Sequence, residues 1–294
     1  MFLPSAVSSD ATAITTNFPV DMLFDNQRAG NASNTITGSR LIGSPGLITS
    51  STAAEAAGLI ISKCFQSNVS YTPDALGSNV ICYAFRRAPS FFDEVCYTGT
   101  GSQQNITHNL GVAPELMIVK RRSAAGGSWA TWATSLTADQ SLALNTTDDK
   151  TAVFSVGFWG STYPTSSVFT VGSNVNTNSN TVTYVAYLFA TCAGVSKVGS
   201  YTGTGTTLQV NCGFTGGARF VLIKKTSGTG SWYVWDSARG IVSGNDPYLL
   251  LNSTAAEVTS TDYIDTYSAG FEISSTAPSE INENGGSFIF LAIS

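Results

Sequence analysis

The sequence predicts an all-β protein of tandem antiparallel β-sandwich-like domains, with three internal repeats of which the first is incomplete. Three observations carry that expectation. The 294 residues are rich in Thr, Val, Ile, Tyr, Phe and Trp, and only 11% are Asp, Glu, Lys or Arg. That balance favours strands and withholds the charged residues that surface helices use. Short apolar segments alternate with clusters of Gly, Asn, Ser and Thr, as at 123–127, 174–180 and 226–230, which is the punctuation of hairpins. Whole blocks recur at a spacing of 104 residues, too long for a solenoid and the size of one small sandwich.

The repeat is plainest between copies two and three. Tyr97-Thr98-Gly99-Thr100-Gly101 returns as Tyr201-Thr202-Gly203-Thr204-Gly205, and Leu116-Met117-Ile118-Val119-Lys120 as Phe220-Val221-Leu222-Ile223-Lys224. Trp129 and Trp132 return as Trp232 and Trp235 after a Gly-rich turn one residue shorter, a change that loops absorb. Tyr184–Phe189 has counterparts 104 residues away on both sides, Val80–Phe85 and Phe288–Ile293. Copy one is supported further by Ser51-Thr52-Ala53-Ala54-Glu55 against Ser253–Glu257, and by Leu23-Phe24-Asp25 with Arg28 against Val234-Trp235-Asp236 with Arg239. The boundaries read as an N-terminal arm (1–18), a partial first repeat (19–96), a second repeat (97–200) and a third (201–294). Beads on a string is the expected arrangement. The runs Leu116–Val119 and Tyr184–Phe189 are unbroken and apolar, as in central strands. Thr254–Thr259 reads as one helical turn, with Ser253 as N-cap and Glu257 at the capping-box position.

Several motifs together, namely Tyr97-Thr98-Gly99, His108-Asn109-Leu110-Gly111 with Pro114 and Ile118-Val119-Lys120, then Val234-Trp235-Asp236-Ser237-Ala238-Arg239, Phe169-Thr170-Val171-Gly172 and Tyr184–Ala190, resemble a repeated β-domain of phage structural and tail-fibre proteins, especially from marine and cyanobacterial phages. The resemblance covers about residues 20–294 and implies a virion component without catalytic residues. Copy one departs from it by lacking the Tyr-Thr-Gly and Ile-Val-Lys strands. Either residues 1–20 replace them, with Ile14-Thr15 and Asn17-Phe18 a weak echo of Ile106-Thr107 and Asn109-Leu110, or a neighbouring chain does so by strand addition.

Composition narrows the function. A net charge of −5 and a pI near 4.8 give no basis for gripping a phosphate backbone. From residue 240 onward there are seven acids and no Lys or Arg, read as a solvated acidic end rather than a calcium site. The five cysteines, Cys64, Cys82, Cys96, Cys192 and Cys212, lack CxxC spacing and have one histidine beside them, so neither a disulfide framework nor zinc is expected. The opening Met1–Ala6 reads as no secretory signal, and the longest apolar run, beginning at Tyr184, is too short to span a bilayer. The sequons at Asn31, Asn68, Asn105, Asn145 and Asn252 carry no information in so Asn-, Ser- and Thr-rich a chain.

Catalytic candidates fall to the repeat itself. His108 is the one imidazole and thus the natural general base, but Cys212 holds its place in copy three, so it reads as closing a turn. Asp25 and Asp236 suggest the carboxylate pair of a depolymerase, yet copy two carries Ala133 there; a structural Asp paired with Arg28 or Arg239 is expected. The Gly-Thr-Gly stretches lack the lysine and context of a phosphate loop. Basic strand ends, Arg86-Arg87, Lys120-Arg121-Arg122 and Lys224-Lys225, read as solvated or paired across a contact. Of the five tryptophans, Trp132 and Trp235 suit a core, while Trp129, Trp159 and Trp232 are the candidates for stacking on a glycan, since an exposed indole offers a flat apolar face.

The expected function is therefore a bacteriophage virion structural protein, part of a tail fibre or appendage on the particle surface. The alternatives are a capsid decoration protein and a carbohydrate-binding adhesin for host recognition. No enzyme activity, cofactor or metal is expected. The partners expected are other virion proteins through the arm 1–18, a host surface glycan, and copies of the chain in a homo-oligomer, a trimer before others. Neither nucleic acid nor membrane insertion is expected, and the chain is expected to fold in the host cytoplasm and reside in the virion.

Overall fold

The computed structural model describes residues 2–7, 13–28, 35–57, 68–71, 79–150 and 157–294. Cys64 and the Asn31 sequon lie outside the described residues. Copy one supplies β1 (Phe2–Val7), β2 (Ile14–Thr15), β3 (Met22–Gln27), β4 (Thr35–Ser39), β5 (Leu47–Ile48), β6 (Ser70–Tyr71) and β7 (Val80–Phe85). Copy two supplies β8 (Phe92–Thr98), β9 (Gln104–Thr107), β10 (Leu116–Arg121), β11 (Ala130–Ala133), β12 (Leu142–Ala143), β13 (Val168–Val171), the single turn α1 (Val175–Asn178) and β14 (Thr183–Phe189). Copy three supplies β15 (Ser196–Thr202), β16 (Leu208–Asn211), β17 (Phe220–Lys225), β18 (Trp232–Asp236), β19 (Leu249–Leu250), β20 (Ile264–Tyr267), β21 (Gly270–Ile273), the turn α2 (Ser279–Asn282) and β22 (Ser287–Ile293). The architecture is all-β and antiparallel, as the composition and turn pattern predict.

Each copy forms one five-stranded sheet, in the orders β1-β7-β3-β4-β5, β8-β14-β10-β11-β12 and β15-β22-β17-β18-β19. A smaller sheet lies over its outer face, built from β2-β6, β9-β13 and β16-β21-β20 respectively. The register makes the copies superimposable. Met22, Leu116 and Phe220 face Phe85, Phe189 and Ile293, while Phe2, Phe92 and Ser196 face the same three residues from the other side. The first copy is thus completed from its own chain. β1 fills the place of the Tyr-Thr-Gly strand, as an edge strand that tolerates Pro4, and Ile14–Thr15 fills the place of Ile106–Thr107. Residues 2–7 belong to a sheet rather than to an arm.

This register corrects one sequence match. β3 pairs with β7 and β4, so it is the counterpart of the Ile-Val-Lys strands β10 and β17, not of β18. Ser39, at the end of β4, shares its position with Ala133 and Asp236. The mismatch arose because Leu-Phe-Asp and Val-Trp-Asp are alike in pattern while sitting one strand apart. The equivalence is visible in chemistry too: Ser39 Oγ accepts from Ile42 N at 3.3 Å, as Asp236 Oδ1 accepts from Arg239 N at 3.0 Å.

The repeats share a core. Alternate residues of a strand face opposite sides. On β7 and β22, Ile81, Tyr83, Phe85, Ile289, Leu291 and Ile293 enter one cluster common to all three copies. Val80, Cys82, Ala84, Phe288, Phe290 and Ala292 turn outward to their own small sheets. Phe85 meets Phe189 of copy two at 5.8 Å and Phe220 of copy three at 6.3 Å between ring centroids. Contacts run head to tail around a closed ring. Trp129 Nε1 donates to Ile48 O at 3.0 Å, Trp232 Nε1 to Ala143 O at 2.9 Å and Thr49 Oγ1 to Leu251 O at 2.6 Å, so copy two holds copy one, three holds two, and one holds three. Beads on a string is overturned, because the inner faces are too apolar to be left in water.

The Tyr-Thr-Gly-Thr-Gly motif proves to be a docking element. Tyr97 Oη donates to Thr177 O and Tyr201 Oη to Ile281 O, both at 2.6 Å, while Asn178 and Asn282 Oδ1 accept from Thr100 N and Thr204 N. A Cβ on Gly99 would lie 2.2 Å from Ser179 O, and one on Gly203 2.3 Å from Glu283 O, which explains glycine there. The helical turn expected at Thr254–Thr259 is absent. Ser253 Oγ accepts from Ala255 N at 3.1 Å, but the chain runs extended to a bridge between Tyr248 and Val258, which sends Glu257 inward.

Candidate functional site

Trp129, Trp159 and Trp232 do not reach solvent. Their exposures are 0%, 1% and 1%, so none presents a ring face to a sugar. Trp129 immediately precedes β11, Trp232 begins β18, and both point into the shared core. Their backbone N–H groups donate to Asn145 Oδ1 and Asn252 Oδ1, each at 2.8 Å. Lys120 and Lys224 lie over these rings at 5.8 and 6.0 Å. Each ammonium donates to a turn carbonyl, Gly127 O at 2.6 Å and Gly230 O at 2.5 Å, and burial pulls both lysines down to about 8. The indoles hold repeats together.

His108 is buried against Phe169. Its Nδ1 accepts from Leu110 N at 3.3 Å and its Nε2 lies 3.1 Å from Thr165 O, which closes the turn after β9. Burial, opposed by the Thr165 contact and Asp93, lowers its pKa. Cys212 holds the equivalent place at its own turn, its backbone N–H donating to Ala269 O at 2.7 Å as that of His108 donates to Ser167 O at 2.9 Å.

The carboxylates separate into different layers. Asp25 faces the outer layer beside Cys82, and burial pushes it up to about 7; Arg28 pairs elsewhere. Asp236 lies on the inner face, at the seam between copies one and three. There Tyr83 Oη donates to Asp236 Oδ2 at 2.9 Å, and Arg239 donates to Asp236 at 2.5 Å, to Glu257 at 3.1 Å and to Tyr83 Oη at 3.0 Å. Arg28 completes the cluster on Glu257 at 3.0 Å. Burial acts to lower Arg239, but Tyr83, Asp236 and Glu257 outweigh it and hold the guanidinium above its usual range. The acidic end is therefore not simply solvated: Glu257 and Asp246 are drawn inside.

The seam between copies two and one uses the same positions differently. Ser39 Oγ donates to Glu94, Tyr187 stands where Tyr83 stands, and Arg122 pairs Glu55 at 2.7 Å. Burial pushes Glu94 up to about 8. The seam between copies three and two has Leu291, Ala133 and Leu136 in the places of Tyr83, Asp236 and Arg239, and at these positions it is apolar. Of the basic strand ends, Arg122 pairs across a seam with Glu55 and Lys224 reaches Thr147 O of copy two, while Lys120 and Lys225 are held within their own copies by Gly127 O and Glu283.

An open groove of about 510 Å³ lies at the start of β10 in copy two, lined by Pro114, Glu115, Trp132, Thr134, Tyr163 and Thr191 among others. Tyr163 is 61% exposed and meets Trp132 in a T-shaped contact, with ring centroids 6.2 Å apart. Glu115 Oε2 accepts from Thr191 N at 2.7 Å and from its hydroxyl at 2.5 Å. Copy three has a counterpart of about 410 Å³ at the start of β17, with Arg219 in place of Glu115 and Tyr267 on its wall. An aromatic face beside hydroxyls and a fixed carboxylate is suited to a polyol. Sequence reasoning missed Tyr163 because its neighbourhood, Thr162-Tyr163-Pro164, reads as a loop rather than as an aromatic platform.

Among the described residues no group of three or more His, Cys, Asp or Glu is placed to hold a metal ion, the described cysteines are free thiols, and no helix is long and apolar enough to cross a membrane. A family model described as a domain of unknown function, DUF7483, matches residues 37–294. No curated protein matches the chain.

Proposed function

We propose, from the premise that the chain belongs to the DUF7483 family, that it is a structural protein displayed on the surface of a bacteriophage particle, in a tail fibre or similar appendage. The observation that carries this reading is the closed ring of three sheets, in which Tyr83, Glu94, Asp236, Arg239 and Glu257 serve seams between repeats instead of an open cleft. A scaffold of that kind, with a surface of neutral hydroxyl and amide side chains, suits display and assembly. The motif resemblance supports the phage setting. The test is to label purified particles with an antibody against this chain. Labelling of tails or appendages is expected, and unlabelled particles from which the chain is also missing by mass spectrometry would end the proposal.

Two observations favour variants of this reading. A chain with three pseudo-equivalent sheets matches a locally three-fold station on a capsid, which a decoration protein would occupy; labelling of heads would select it. The Tyr163 groove favours a glycan-binding adhesin, and loss of host-cell binding on Tyr163→Ala would select that. We keep the homotrimer as part of the proposal, and mass measurement of the purified protein at high concentration tests it.

A further inference from the structure

The three seams are alike enough that one difference between them is informative. Two are clamped by an Arg–Glu pair, Arg122–Glu55 at 2.7 Å and Arg28–Glu257 at 3.0 Å. In each, the residue that follows the third strand of one sheet reaches the segment beyond the fifth strand of the next. The backbones join at the same place, Glu55 N donating to Arg122 O at 2.9 Å and Glu257 N to Arg28 O at 3.1 Å. In the seam between copies three and two, the same register positions hold Thr226 and Lys150. A short hydroxyl replaces the long guanidinium, and a cation replaces the carboxylate.

The space that an arginine fills elsewhere is open here. It forms a pocket of about 360 Å³ whose polar wall is Ser135, Lys150, Ser200, Thr202, Thr226 and Ser287. In copy two the place of Ser200 belongs to Cys96, whose sulfur lies 3.8 Å from Arg122 Nη1, so the exchange of residues also made this wall hydroxylated. Lys150 is the one charged side chain among the described residues of the wall. Of the neighbouring acids, Glu283 is held by Lys225 at 3.0 Å.

We propose that this pocket binds a small carboxylate-bearing sugar, a uronic acid. A single ammonium matches a single carboxylate, through a charge-assisted hydrogen bond. Hydroxyl side chains both donate and accept, which suits the hydroxyls of a pyranose better than the bare oxygens of phosphate. The volume falls within the roughly 300–1,000 Å³ of small-molecule sites. The ligand's carboxylate takes the role that Glu55 and Glu257 play in the sister seams. The proposal stands on the geometry of the seam and is independent of where the protein is displayed.

Calorimetric titration of the full chain with D-galacturonate, D-galactose and inorganic phosphate tests it. Galacturonate is expected to bind, with the other two weaker by about tenfold or more, the value of one charge-assisted hydrogen bond. Lys150→Met should weaken galacturonate by a similar factor. The double variant Thr226→Arg with Lys150→Glu rebuilds the clamp of the sister seams, and should stay folded by circular dichroism and bind no uronate. Absence of galacturonate binding, equal binding of galactose or phosphate, or undiminished binding by either variant would overturn the assignment.

Discussion

Replacing Asp236 by Ala removes the nearest counter-charge of a buried guanidinium. Both side chains of the Asp236–Arg239 pair are 0% exposed, so solvent does not screen the loss. Arg239 keeps Glu257 at 3.1 Å, while Tyr83 Oη loses the acceptor it holds at 2.9 Å. Breaking a buried pair by deleting one partner costs about 3–5 kcal/mol. Because Glu257 remains, the expected loss lies near the lower end, about 3 kcal/mol. The seam between copies three and two indicates how the damage is repaired, since it carries Leu291, Ala133 and Leu136 at the equivalent positions. Tyr83→Leu, Asp236→Ala and Arg239→Leu together remove both charges and the orphaned hydroxyl, and leave Glu257 paired with Arg28. Apolar replacement of a buried ion pair is often neutral or stabilising, so the triple variant should lie within about 1–2 kcal/mol of the parent. Urea unfolding followed by tryptophan fluorescence, with m-values compared to confirm an unchanged transition, measures both. A triple variant as unstable as Asp236→Ala would refute the interchangeability of the seams, and a near-neutral Asp236→Ala would refute the importance of the pair.

Other perturbations have equally definite outcomes. Burial pushes Asp25 up to about 7 and Glu94 up to about 8, so between pH 4 and about 8 the folded chain binds protons that the unfolded chain has released, and stability should fall across that range. Burial pulls Lys120 and Lys224 down to about 8 from 10.5, which reverses the sign from pH 8 to about 9, above which Cys96 and Cys212, pushed up by burial to about 11 and about 12 from 9, oppose the gain. Thermal midpoints should therefore pass through a minimum near pH 8, and Glu94→Gln should flatten the falling limb; a monotonic rise from pH 5 to 8 would contradict this. Trp232→Ala should cost about 3–5 kcal/mol by denaturant titration, whereas removal of a merely surface-lying indole would cost far less. Tyr163→Ala, at an exposed ring, should leave stability within about 0.5 kcal/mol and change only what the groove binds.

The sequence reveals strands best where packing constrains both faces. Leu116–Val119 and Tyr184–Phe189 read as central strands because each is buried on two sides, and the structure places them in the interior of their sheet. The Gly99 and Gly203 motifs are legible as a repeated block, but their docking role is not, since the partner carbonyls lie far along the chain. Residues 1–20 are one of the two ways the sequence offers to complete copy one, but β1 itself is hard to read there, because Phe2–Val7 contains Pro4 and borrows its burial from β7. The shared core escaped for a different reason. Alternation tells that a strand has two faces, not that one of them belongs to a neighbouring repeat. The same gap explains the tryptophans. Trp129 and Trp232 border Gly-rich turns, a local sign of exposure, yet their surroundings come from the previous copy. Seam chemistry was hidden most completely, since Arg28 and Glu257 meet across 229 residues.

If the three repeats close on a single core, they should lose structure together. Hydrogen exchange by mass spectrometry along a urea titration follows β7, β14 and β22 separately in one experiment. Val80–Phe85, Tyr184–Phe189 and Phe288–Ile293 are expected to lose protection at one common midpoint, matching the fluorescence transition. Protection surviving in β22 after β7 has fully exchanged would contradict the closed ring and restore three independent beads.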